Sequence, residues 1–122
     1  MNQFSNANYN LEERTARFGE AVIKFCRDIE PDIVSRPIIQ QLVRSSTSVG
    51  ANYMEANAAS SRKDFRNKIF ICKKEVQETK HWLRMIAQCI SAESVELANL
   101  RREGQELTLI FQKITNSLKN IP

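Results

Sequence analysis

The sequence predicts an all-α fold, an antiparallel up-down-up-down four-helix bundle with left-handed packing, and three observations carry that reading. Apolar residues recur at alternating spacings of three and four along four long stretches, each stretch opens near a Ser or Asn suited to capping, and Gly and Pro number only 3 each. A β fold would need turn residues in larger supply. At 122 residues the chain has the length of one domain with one core.

The first helix is expected to start at Asn10, whose side chain can cap the amide of Glu13, and to run through Leu11, Thr15, Phe18, Val22, Phe25 and Ile29 until Pro31 stops it. The second is expected from Ser35 as cap, with Pro37 in its first turn; Ile39, Leu42, Ser46, Val49, Tyr53 and Ala56 give it a small, polar seam. Ser60 and Ser61 precede the third, with Asp64 in its first turn and an unbroken seam of Phe65, Ile69, Cys72, Val76, Thr79, Leu83, Ile86 and Ile90. Ser91 or Ser94 starts the fourth, followed by Leu97, Leu100, Gly104, Leu107, Phe111, Ile114, Leu118 and Ile121.

Helices of about 20 to 28 residues would span about 30 to 42 Å, and short polar connections make neighbours antiparallel. The period near 3.5 predicts shallow crossings of about 20°, with Gly104 admitting a close neighbour. Residues 1–10, polar and Asn-rich, read as a flexible tail ahead of a single domain over 11–122, and they resemble no secretory signal.

Several function classes fall away on composition. No apolar run approaches the roughly 20 residues that span a bilayer, so no membrane association is expected. Cys26, Cys72 and Cys89 are odd in number and scattered, the pattern of reduced cytoplasmic thiols. Gly19, Gly50 and Gly104 stand too far apart for a P-loop or dinucleotide fingerprint. His81 and three dispersed cysteines cannot supply the four or so ligands of a zinc site. Glu78 and His81 have the Glu-x-x-His spacing of di-iron bundles, but such a site needs that motif twice and the chain has one His. Cys72 lies in a seam and Cys26 beside one, as small hydrophobes do, and His81 is more than two turns from Cys72. No catalytic residue, metal, cofactor or small-molecule substrate is expected.

Three surface features remain. The formal net charge is +4, and cations concentrate at Arg62, Lys63, Arg66, Lys68, Lys73 and Lys74, continued by Lys80 and Arg84. Arg62, Arg66, Lys73 and Lys80 share a helical edge, which serves either as a solvated face or as an anion-binding stripe that an oligomer would repeat around its axis. Asn52 and Glu55 on the second helix and Glu75, Glu78 and Thr79 on the third form either an exposed polar stripe or a buried network that sets register. Ile23, Met54, Phe70, Ile71 and Leu109 lie off the seams, either broadening the apolar faces or forming a second interface in a homo-oligomer.

The run Arg44-Ser45-Ser46-Thr47-Ser48-Val49-Gly50-Ala51-Asn52-Tyr53-Met54-Glu55-Ala56, then Ser61-Arg62-Lys63-Asp64-Phe65, then Glu75-Val76-Gln77-Glu78-Thr79-Lys80-His81-Trp82-Leu83, resembles the four-helix-bundle 23S rRNA intervening-sequence proteins. Order and spacing agree over essentially the whole chain. The resemblance implies an antiparallel bundle that assembles as a ring-like homopentamer and has no known catalytic activity. It also implies that Arg44, Ser48, Asn52, Glu55, Glu75, Glu78, Thr79 and Trp82 organise helix packing or subunit contacts. A related branch, the accessory variability proteins of diversity-generating retroelements, binds nucleic acid and a reverse transcriptase. The expected function is therefore a non-enzymatic oligomer that binds structured RNA or DNA through Lys and Arg on helices two and three. The alternative is a protein scaffold, such as an accessory subunit docking a reverse transcriptase, which would engage its partner through Trp82, Tyr53 or Met54.

Overall fold

The computed structural model describes residues 10–91 and 94–119, so the expected tail, Asn10 excepted, and Ile121 of the last seam lie outside the described residues. Four helices follow one another, α1 (Leu11–Arg27), α2 (Ser35–Asn57), α3 (Arg62–Ile86) and α4 (Val95–Ser117), and no strand occurs among the described residues. They run 17, 23, 25 and 23 residues, the first shorter than the spacing predicts. The shortfall arises because the amides of Asp28 and Ile29 turn back to the carbonyls of Phe25 and Cys26, tightening the last turn and releasing the chain before Pro31.

Three of the helix starts are as expected. The side chains of Asn10, Ser61 and Ser94 accept from the amides of Glu13, Asp64 and Leu97 at 3.2, 3.0 and 3.0 Å. The start of α2 differs, because Ser35 is already helical and Asp32 does the capping. Asp32 Oδ1 accepts from the amides of Val34 and Ser35 at 2.9 and 2.7 Å, while Ser35 Oγ accepts from the Asp32 amide at 2.9 Å. This reciprocal capping box satisfies three donors where a Ser cap would satisfy one. The donors from Ser35, helped by Val34, hold the Asp32 carboxyl below the usual carboxylate range.

The helices enclose one core in which Phe18, Val22, Leu42, Val49, Ile69, Cys72, Val76, Leu83, Leu107 and Phe111 are fully buried. Each large member contributes about 1.5–3 kcal/mol of burial. The Tyr53 ring of α2 lies 6.1 Å from that of Phe111 on α4, tying non-consecutive helices together. Burial pushes the Cys72 thiol up to about 12 and, with Glu96 adding to it, the Cys26 thiol up to about 11, so both remain protonated packing groups.

Gly19 and Gly50 let α1 and α2 meet backbone to backbone. A Cβ on Gly19 would stand 3.4 Å from the Ser46 carbonyl oxygen and Thr47 Cα; one on Gly50 would stand 3.4 Å from Ala16 N and the Thr15 carbonyl carbon. Gly104, the glycine that the heptad pattern singles out for close approach, receives a side chain instead: the Lys80 stem lies 3.2 Å from where its Cβ would be. The polar part of the α2 seam is satisfied within the bundle, with Thr79 and Ser45 hydroxyls 2.9 Å apart and no buried side-chain N or O left without a partner among the described residues.

Candidate nucleic-acid interface

Helix α3 carries eight cations and three carboxylates, and its geometry separates them by sign. The carboxylates leave toward α2. Arg44 Nη1 donates to Glu75 Oε2 at 3.1 Å, Arg44 Nη2 donates to Glu78 Oε2, and Trp82 Nε1 donates to the same Glu78 oxygen at 3.2 Å. Asp64 shares that edge, acting on Lys68, whose Nζ reaches Glu55 of α2 at 2.8 Å. Arg62, Arg66, Lys73 and Lys80 recur along the opposite edge. That edge faces α4, because Lys80 Nζ donates to Gln105 Oε1 at 2.6 Å.

Helix α4 sorts its charges in the same manner. Glu103 and Glu106 turn to α1, where both accept from Arg14, and Glu96 acts on Cys26 of the same helix. Arg101, Gln105, Thr108 and Gln112 recur at spacings of four and three on the edge that meets α3. The shared outer face of α3 and α4 is therefore lined by cations, amides and a hydroxyl together with the exposed Phe70 and Leu109, with no carboxylate among the described residues. In a helix of ordinary charge pattern the acids would interleave with these cations and quench the field.

Of the eight basic residues singled out in the sequence, this arrangement brings together Arg62, Lys63, Arg66, Lys73, Lys74, Lys80 and Arg84, and it leaves Lys68 on the α2 side with Glu55. Arg44 of α2 stays apart as well, since Glu75 and Glu78 neutralise it. The eight residues of the family motif gather along α2 and α3 instead. Ser48 Oγ donates to the Arg44 carbonyl and Asn52 Nδ2 to the Ser48 carbonyl, each at 2.8 Å. Thr79 is buried against Ser45, Glu75 is largely covered, and the Arg44 side chain is 45% exposed. The polar group thus grades from buried network to exposed stripe.

One buried cluster escapes the sequence reading. Arg14 of α1 donates from Nε and Nη2 to the two oxygens of Glu103 at 2.8 and 2.7 Å, and from Nη2 to Glu106 Oε1 at 2.8 Å. The Arg14 and Glu103 side chains are 2% and 1% exposed. The hydrogen bonds it donates to Glu103 hold the Arg14 guanidinium above its ordinary range, while burial raises the Glu103 carboxyl and Arg14 pulls it back. The signal was present as spacing, because Arg14 falls three after Leu11 and four before Phe18, and Glu103 falls three after Leu100 and four before Leu107.

Elsewhere, His81 is exposed and its ring sits edge-on to Trp82 at 4.9 Å. Among the described residues no group of three or more His, Cys, Asp or Glu could hold a metal ion, and no helix is long and apolar enough to cross a membrane. On the far side of the bundle, Gly19, Gly50 and Ala51 floor a groove of about 290 Å³ between α1 and α2, flanked by the exposed side chains of Ile23 and Met54.

The sequence profile of the 23S rRNA-intervening sequence proteins matches residues 8–113. A crystal structure from Bacteroides thetaiotaomicron, a protein with unknown function from the S23 ribosomal protein family, is similar at 25% identity with a TM-score of 0.75. The alignment covers 86% of this chain and 97% of that one. No curated protein matches the sequence. With four helices, their caps and the motif residues where that profile aligns, the chain belongs to the 23S rRNA-intervening sequence protein family.

Proposed function

We propose that the protein is a non-enzymatic, cytoplasmic homo-oligomer that binds structured RNA or DNA through the outer face of α3 and α4. The observation that carries this reading is the cationic face, without a carboxylate among the described residues, centred on Arg62, Arg66, Lys73 and Lys80. Phosphates need closely spaced cations without competing acids, and such a face contacts the backbone without reading base sequence. The assembly we favour is a left-handed, antiparallel up-down-up-down bundle repeated in a ring-like pentamer. Contacts such as Gly19 to Thr47 and Gly50 to Ala16, whose numbering runs in opposite senses, support the antiparallel arrangement. The exposed Ile23 and Met54 beside the α1–α2 groove support self-association there, on the side away from the cations.

The test is fluorescence anisotropy with a structured RNA and a duplex DNA across a salt series. Wild-type binding is expected to weaken steeply with salt, and the Arg62→Ala, Arg66→Ala, Lys73→Ala triple variant to lower the log–log slope by about three. Absence of binding at low salt overturns the reading. A protein scaffold, for instance a subunit docking a reverse transcriptase, then stands in its place, favoured by the exposed apolar pair Ile23 and Met54. Sedimentation of Ile23→Lys and Met54→Lys variants tests the assembly: both are expected to run as smaller species than wild type.

A further inference from the structure

On the proposed binding face one aromatic side chain does not fit a purely phosphate-directed role. Phe70 of α3 is 47% exposed. It sits within a row of cations, with Arg66 one turn before it and Lys73 and Lys74 one turn after. A helical turn advances about 5 Å, so cations flank the ring in both directions along the axis. Gln77 and His81 continue the line from Phe70 at seven and eleven residues on, adding an amide and an imidazole that can meet a base edge. Phosphate contacts alone would be served by a polar residue here. An aromatic ring bracketed by cations matches a nucleotide, which pairs a flat π surface with a charged link on either side.

Resting on the nucleic-acid reading above, we infer that Phe70 is a stacking platform for an unpaired base, and that the ligand class is single-stranded or looped nucleic acid rather than continuous duplex. A base inside a duplex has both faces covered by its neighbours and offers nothing to the ring. A base in a loop, bulge or free end can leave its stack and lie on Phe70 while Arg66 and Lys73 hold the adjoining phosphates. RNA and DNA share this chemistry.

The experiment measures anisotropy of wild type, Phe70→Ala, Phe70→Leu and Phe70→Trp against four labelled probes: an RNA hairpin with an unpaired loop, a single-stranded RNA, a single-stranded DNA and a blunt RNA duplex. The wild type is expected to prefer the probes with unpaired bases. Phe70→Ala and Phe70→Leu are expected to lose about tenfold on those probes and little on the duplex, with Phe70→Trp retaining affinity. The two single strands separate the sources: parity means that stacking alone operates, and an RNA preference adds a 2′-hydroxyl contact beside it. Equal binding of loop and duplex, with no change in any Phe70 variant, overturns the inference and leaves the cationic face intact. Retention by Phe70→Leu also overturns it, because an apolar contact without a π face is not stacking. A fall in oligomer size in Phe70→Ala, with loop binding unchanged, overturns it and makes Phe70 a subunit contact. No binding of any probe removes the underlying reading as well.

Discussion

Two clusters in the bundle have the same composition, one arginine with two glutamates three residues apart on the neighbouring helix, and they occupy opposite environments. Arg14 and Glu103 join α1 to α4 almost out of reach of water, with Glu106 at the solvent edge, whereas Arg44 with Glu75 and Glu78 joins α2 to α3 around an arginine that is itself at the surface. The difference is set by what lies beside each arginine. Arg14 lies between the buried Leu11 and Phe18 along its own helix, and its Nε and Nη2 donate to carboxylate oxygens of Glu103 and Glu106. Arg44 sits beyond the small residues Ser45 and Ser48, is bonded also to Gln41 at 3.0 Å, and remains half in solvent. Identical chemistry therefore has different consequences: the buried cluster selects which helix faces may meet, and the exposed one trims charge from the α2–α3 edge.

Substitutions can break that comparison, and the largest effect is expected at Arg14. Arg14→Ala strands the Glu103 carboxylate in the interior and is expected to cost about 3–5 kcal/mol, read from urea unfolding midpoints. The Arg14→Met, Glu103→Leu double variant removes both charges and is expected to recover most of that loss. A single-variant cost under about 1 kcal/mol would show that water reaches the pair, erasing the contrast. Arg44→Ala is expected to cost about 1 kcal/mol or less, since its partners can turn to solvent. The smallest effect is the response to salt. Between about 0.1 and 1 M salt the screening length falls from roughly 10 to 3 Å, so the difference between Arg44→Ala and wild type should shrink while that for Arg14→Ala persists.

The helices were legible because period and cap are local properties. Leu97 through Phe111 and Ile69 through Ile86 fall in the core as their spacing requires, and Ser61 and Ser94 cap where they stand. Ser35 misled because a competing carboxylate, Asp32, lay three residues earlier and offers a stronger acceptor, its Oδ1 taking both amides. Arg14 and Glu103 stayed hidden because each taken alone is a charge at a core-flanking position, and only the partner on a distant helix makes burial tolerable. The cationic face was half legible: the edge through Arg62, Arg66, Lys73 and Lys80 follows from helical spacing. That its neighbour is α4, with Gln105 and no acid, required knowing which helix packs on which side.

Because α3 turns its carboxylates one way and α4 the other, the groove between them presents a single sign to solvent over several turns among the described residues. Such an edge acts before contact, within the roughly 8 Å over which physiological salt leaves a field standing. A polyanion arriving askew is turned toward the groove rather than lost, so more of its collisions end in a bound state. If the face binds nucleic acid as proposed, the sorting of charge would set how quickly a complex forms, while contacts around Phe70 would set how long it lasts. Moving one carboxylate into the groove would then slow arrival and also weaken the hold on phosphate once bound.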